Sequence, residues 1–145
     1  MINFNYRFVF KTIGFLLIIE SLFMMTATVV SFLYREMSGD AMLISSTITF
    51  FTGIFIRLIG TTDHEKPIGK RESFLVVTLT WIILSAFGML PFYLSGAIPD
   101  ISNAYFETMS GFSTTGASIL TDIESVPKGL LFWRSITQWI GGIGI

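Results

Sequence analysis

From residue 73 to residue 99 the chain reads SFLVVTLTWIILSAFGMLPFYLSGAIP, without one charged side chain. A helix rising about 1.5 Å per residue needs about 20 such residues to cross a hydrocarbon core of roughly 30 Å. A run that is apolar on every face suits a bilayer better than the half-buried face of a globular domain. Two more runs repeat the pattern. Residues 12–33 carry one charge, Glu20, and residues 41–56 carry none. Arg57 can snorkel, which lets the second run continue to about residue 59. Charged residues are 13% of the 145, against about 25% in soluble domains. A soluble domain and a disordered tail are both excluded. The predicted class is an all-α integral membrane protein.

Composition narrows the chemistry further. Nine Lys and Arg against ten Asp and Glu leave a net charge of -1, so no basic field points to nucleic acid. There is no cysteine, which removes disulfides, thiolate catalysis and cysteine metal sites. A single histidine, His64, builds neither a metal cluster nor a catalytic network. No nucleophile–base pair and no paired carboxylates sit at useful spacing, so no enzyme, catalytic residue or cofactor is expected. Gly141, Gly142 and Gly144 make GGIG, which lacks the strand and βαβ unit of a dinucleotide fingerprint; close helix packing is their expected use.

The order of spans and loops gives a topology. Arg7 and Lys11 precede the first run, as in a signal peptide, but the run exceeds the usual h-region of about 7–15 residues and no small-x-small cleavage site follows. It reads as a retained span. Residues 34–40, YREMSGD, form a short turn, so spans one and two make a hairpin. Residues 60–72, GTTDHEKPIGKRE, are the most charged stretch and form a loop. Two units are expected, 1–72 with the hairpin and its loop, and 73–145. Pro91 should kink the third span or end its regular part. Arg7, Lys11, Arg57, Lys66, Lys70 and Arg71 fall on one side, and Arg35, Lys128 and Arg134 on the other. This bias places the N-terminus and the 60–72 loop in the cytoplasm and brings residues 100–129 in from outside.

Residues 101–112, ISNAYFETMSGF, read as a short helix with Ser102 or Asn103 as N-cap and Gly111 near its end. That is too short to span and suits a re-entrant segment. STTGAS (113–118) follows, then a polar return and a further apolar run from 130. A potassium filter replaces the ion's hydration shell with closely spaced backbone carbonyls, and glycine permits the dihedrals that turn them to one side. Thr114, Thr115 and Gly116 meet that demand, with small Ala117 and Ser118 beside them. The C-terminal end of the short helix would point its negative dipole end at the ion path. Taken by themselves, these letters also fit an ordinary loop.

The longer stretch FETMSGFSTTGASILTDIESVPKGLLFWRSITQWIGGIGI (106–145) closely resembles the first pore repeat of the TrkH/TrkG branch of bacterial potassium uptake proteins, in the Trk/Ktr/HKT superfamily. The likeness covers pore helix, filter, the TDIES return and the start of the next helix. Residues 73–95 fit the repeat's first helix, and the hairpin at 12–59 fits the branch's extra N-terminal pair. The resemblance implies one of four non-identical helix–pore loop–helix repeats around a single pore. It implies a filter strand with potassium held by the backbone carbonyls of Thr114, Thr115 and Gly116. It further implies inward potassium transport coupled to protons or sodium, a homodimer in the bacterial inner membrane, and a cytosolic nucleotide-binding regulatory ring. The sequence stops inside the repeat's second helix, so the reading is an N-terminal fragment, inactive alone, that needs the remaining repeats or a full-length subunit. The alternative is a non-conducting interaction fragment that binds full-length transporters.

Other residues carry paired readings. Glu20 in mid-span is either an ion or proton relay or a helix–helix hydrogen bond, one whose partner can lie in the absent part of the protein. Glu107 either concentrates cations at the outer mouth or pairs with Arg134 to lock the repeat, and the pair is the favoured reading. Arg134 could also snorkel. Trp81, Trp133 and Trp139 read as packing or interface anchors, and Met24, Met25 and Met37 as apolar filler. Asp63, Glu65, Lys66, Lys70 and Arg71 form a solvated topology signal or a contact for a cytosolic partner, and His64 among them reads as solvated.

Overall fold

The computed structural model describes residues 6–60 and 70–143, the side chains of 70–72 excepted. The described residues form helices and connecting segments. Helix α1 (Tyr6–Leu33) and α2 (Ser38–Ile59) are the hairpin. Helix α3 (Lys70–Gly88) continues, after a break at Met89, into the short α4 (Leu90–Leu94). Helix α5 (Ile101–Phe112) and α6 (Lys128–Ile143) flank the Thr-Thr-Gly segment. The all-helical class read from the sequence is the class observed among the described residues, and three helical stretches there are long and apolar enough to cross a membrane: Tyr6–Leu33, Ser38–Ile59 and Ser73–Leu94.

Boundaries moved where tertiary contacts override composition. Helix α1 begins six residues ahead of the apolar run, and the turn to α2 shrinks to residues 34–37. That turn is a Schellman motif: the Arg35 N–H donates to the Phe32 carbonyl at 3.0 Å and the Glu36 N–H to the Ser31 carbonyl at 3.1 Å. Arg35 sits at φ 55°, a left-handed conformation that costs a non-glycine residue about 1–2 kcal/mol. The break at Met89 lies just ahead of Pro91, which occupies the first turn of α4, where its missing N–H is not needed. The kink expected of Pro91 is therefore a short interruption of one long span.

Helices α1 and α2 touch backbone to backbone. A Cβ on Gly14 would lie 2.5 Å from the Arg57 nitrogen and 2.6 Å from the Gly53 carbonyl oxygen. Small residues permit this approach, which in lipid supplies dispersion contacts that burial from water cannot. Helix α1 also packs on α3 and α6, and α5 fits between α3 and α6. Leu17, Met24, Phe92, Phe112, Leu130 and Trp133 fill the space between them. Trp133 is fully buried and its Nε1–H donates to the Gly88 carbonyl at 2.9 Å. Trp139 is exposed and meets Phe23 edge to face. Met24 is core, whereas Met25 and Met37 face outward. The outward faces of the first three spans carry Leu22, Val29, Phe51, Phe55 and Phe74, an apolar surface that a bilayer accepts without the cost water would impose.

Candidate ion-binding strand

Helix α5 is N-capped by Asp100, not by Ser102 or Asn103. The Asp100 carboxylate accepts the Asn103 N–H at 2.8 Å. Three polar residues in DISN made the sequence reading ambiguous, and the cap fell to the one whose side chain reaches the third helical N–H. The helix closes with the Ser113 N–H on the Met109 carbonyl and the Thr114 N–H on the Gly111 carbonyl, both 2.9 Å.

The chain then reverses. Thr114 has φ 57° and Gly116 φ 74°, while Thr115 between them keeps a negative φ. An extended strand of uniform handedness points successive carbonyls to opposite faces; alternating handedness turns them toward one face. The segment is held against the end of α5. The Gly116 N–H donates to the Ser110 carbonyl at 3.3 Å, and Ser110 Oγ donates to the Ala117 carbonyl at 2.5 Å. Ser113 Oγ and Thr115 Oγ1 share a hydrogen bond of 2.8 Å. Among the described residues, no donor reaches the carbonyls of Thr114, Thr115 or Gly116. The three residues are exposed and their oxygens take no hydrogen bond from the described residues, whereas the next oxygen, on Ala117, is engaged.

Behind the strand stands a buried ion pair. Glu107 has no exposed surface, and its Oε1 lies 2.6 Å from Arg134 Nε. The same oxygen accepts from Ser118 Oγ at 2.9 Å, and Oε2 accepts the Ile119 N–H at 2.9 Å. Arg134 extends Nη2 to the Ala117 carbonyl at 3.4 Å. One carboxylate thus ties the pore-helix candidate, the return of the strand and α6 together. A carboxylate whose oxygens are spent in this way has no face left for solution, so the geometry is that of the pair and not of a mouth.

Close packing sets α6 against α5. A Cβ on Gly141 would overlap the Phe112 carbonyl, and one on Gly111 would overlap Thr137 Oγ1. Part of the GGIG segment therefore packs helix on helix, although a Cβ on Gly142 would meet open space. Replacing Gly141 with Ala should cost about 1–3 kcal/mol through overpacking. The expected readout is a lower thermal midpoint of detergent-purified protein, with Gly142→Ala unchanged.

Glu20 lies buried beside Gly88, where a Cβ would come within 2.9 Å of its Oε1. Among the described residues neither oxygen has a hydrogen-bond partner. Arg57 is exposed, with its guanidinium 5.6 Å from the Phe15 ring centre. His64, Asp63, Glu65 and Lys66 fall outside the described residues, and Lys70 and Arg71 open α3. Sequence reasoning missed Asp100, Ser110 and Ser118 as supports of the site. Only the first left a local signal, a polar residue ahead of a helix; the others act through the fold.

Comparison with known proteins decides the family. The profile described as "TrkH: Cation transport protein" matches residues 40–145. The chain belongs to the TrkH family. It is 37% identical to the Trk system potassium uptake protein TrkH of Escherichia coli K12 over 146 aligned positions, covering 97% of this chain and 29% of that protein. It is 33% identical to the TrkH of Vibrio parahaemolyticus, again over 97% of this chain and 29% of the relative. The crystal structure of the Vibrio parahaemolyticus potassium transporter TrkH superposes with a TM-score of 0.89 at 31% identity, over 98% of this chain and 30% of that one. The chain thus spans less than a third of the TrkH relatives it matches. Membership of the TrkH family makes it a membrane-embedded protein of a cation transport family and not an enzyme.

Proposed function

We propose that residues 113–118 form one strand of a potassium selectivity filter, with the ion held by the carbonyls of Thr114, Thr115 and Gly116. One observation carries this reading. Those carbonyls accept no hydrogen bond among the described residues, while Ser110 and Arg134 engage the carbonyl that follows them. Three consecutive oxygens without a protein donor, beside a positive-φ glycine, fit an ion that sheds its water. The C-terminus of α5 adds partial negative charge at the start of the strand. Glu107 and Arg134 serve the strand as its structural clamp.

One strand surrounds an ion on one side only. In this reading the chain is the first of four repeats in a potassium uptake transporter of the bacterial inner membrane, with its N-terminus in the cytoplasm. The other three strands come from the remaining repeats. Uptake is coupled to protons or sodium, and a homodimer works with a cytosolic nucleotide-binding ring. The 145 residues alone conduct nothing. The test compares them with a full-length transporter bearing them as its first repeat, both in liposomes. Rubidium uptake by the full-length protein, lost to sodium when the strand is altered, supports the assignment. Rubidium flux through the 145 residues alone would contradict the four-repeat reading. Co-purification of the short protein with a full-length transporter, without flux of its own, would favour the non-conducting alternative.

A further inference from the structure

Helix α6 begins without a cap of its own. Pro127 precedes it, and the Pro127 carbonyl accepts the Leu130 and Leu131 N–H groups at 3.0 and 3.1 Å. Proline has no side chain to satisfy the N–H groups of Lys128 and Gly129, which are orphans of the first turn. Their acceptor comes from the far hairpin. Glu36 Oε1 accepts the Lys128 N–H at 2.6 Å and Oε2 accepts the Gly129 N–H at 3.0 Å. The negative carboxylate also suits the positive end of the helix dipole.

The seat is specific. The Schellman turn at Arg35 aims Glu36, and Ser31 and Ser38, 2.8 Å apart, lie beside the same carboxylate at 3.4 and 3.5 Å. Gly129 fits against Ser31 so closely that a Cβ would lie 2.6 Å from that residue's Cβ. Lys128 Nζ rests 5.5 Å from the Tyr34 ring centre. Two of the described non-glycine residues have positive φ: Thr114 in the strand, and Arg35 in the turn that supplies its distant support.

We propose that Glu36 is a positioning residue for the candidate filter: by holding the first turn of α6 it sets the height of Arg134, and through Arg134 the placement of Glu107 and the Ala117 carbonyl. This rests on the filter reading above. Arg134 stands six residues along α6 from Lys128, under two turns away. A rigid helix carries an axial displacement of its first turn undiminished to that guanidinium. The Arg134–Glu107 contact of 2.6 Å leaves no slack to absorb it.

The test uses a full-length transporter bearing these residues, with rubidium KM and the potassium-over-sodium ratio measured per molecule in the membrane. Glu36→Ala should raise KM and lower the ratio by about fivefold, the equivalent of one lost helix cap. Glu36→Gln keeps one acceptor oxygen and should fall between. If Glu36→Ala does not reach the membrane, Glu36→Gln carries the same readout. A purely structural cap would lower the amount of transporter with KM and the ratio unchanged, and that result overturns the proposal. Gly116→Ala runs beside it. Lost selectivity there with both Glu36 variants silent refutes the positioning role and leaves the filter standing. Silence of Gly116→Ala refutes the filter reading itself, whatever Glu36 does.

Discussion

Replacing Gly116 with Ala should lower potassium-over-sodium selectivity by about five- to thirtyfold in a full-length transporter bearing these residues. The cause is conformational. Gly116 sits at φ 74°, where a side chain costs about 1–2 kcal/mol, and each 1.4 kcal/mol is tenfold in an equilibrium. Crowding within the repeat is not the reason, because the nearest atom to a Cβ there is Gln138 Nε2 at 3.6 Å, an ordinary contact. The substituted strand relieves its strain by leaving the left-handed region, which swings the Thr115–Gly116 peptide plane and its carbonyl away. Gly116→Asn should retain more selectivity than Gly116→Val, since asparagine tolerates left-handed backbone and a β-branched residue does not. Full selectivity in Gly116→Val would remove the filter assignment. The ratio is read from competition of sodium against rubidium uptake.

The second large effect belongs to the buried pair. Glu107→Gln leaves Arg134 without its anion, and Arg134→Gln leaves a fully buried carboxylate without its cation. Breaking a buried pair from one side costs about 3–5 kcal/mol. Each single variant should therefore sharply reduce folded transporter, Arg134→Gln more severely because Glu107 is the more deeply buried partner. Neutralising both removes the uncompensated charge, and the double variant should recover part of the loss of the worse single one. The measurement is the amount of monodisperse protein by size-exclusion chromatography, with uptake per molecule alongside. A double variant no better than the worse single one would argue against the pairing.

What could be read from the letters depended on how local the cause was. Charge-free runs fix spans because the bilayer penalises charge over a length set by its own thickness, so the helices around Leu17, Phe51 and Ile82 were legible. The short helix before Thr114 was legible from its length and its glycine. Its cap was not, since Asp100, Ser102 and Asn103 offer the same chemistry and only backbone geometry selects among them. The Glu107–Arg134 pair was visible as a possibility because opposite charges in an apolar context need each other. Glu36 was invisible as a support of α6. Its partners lie 92 and 93 residues away, and nothing in YREMSGD announces them. The one trace was on the other side: a helix starting after Pro127 with no Ser, Thr, Asp or Asn to cap it. Glu20 lacks a partner among the described residues for a different reason. Its neighbour across the helix interface is Gly88, which offers the carboxylate no side-chain partner.

The central claim is that main-chain oxygens of Thr114, Thr115 and Gly116 hold a dehydrated monovalent cation. Anomalous diffraction from crystals of the full-length transporter grown in rubidium tests it most directly. The account predicts a rubidium peak in line with these three carbonyls, within contact distance of at least one, and weakened when sodium replaces rubidium. Rubidium bound only elsewhere, with residues 113–118 lying away from it as a hydrated surface loop, would contradict the account.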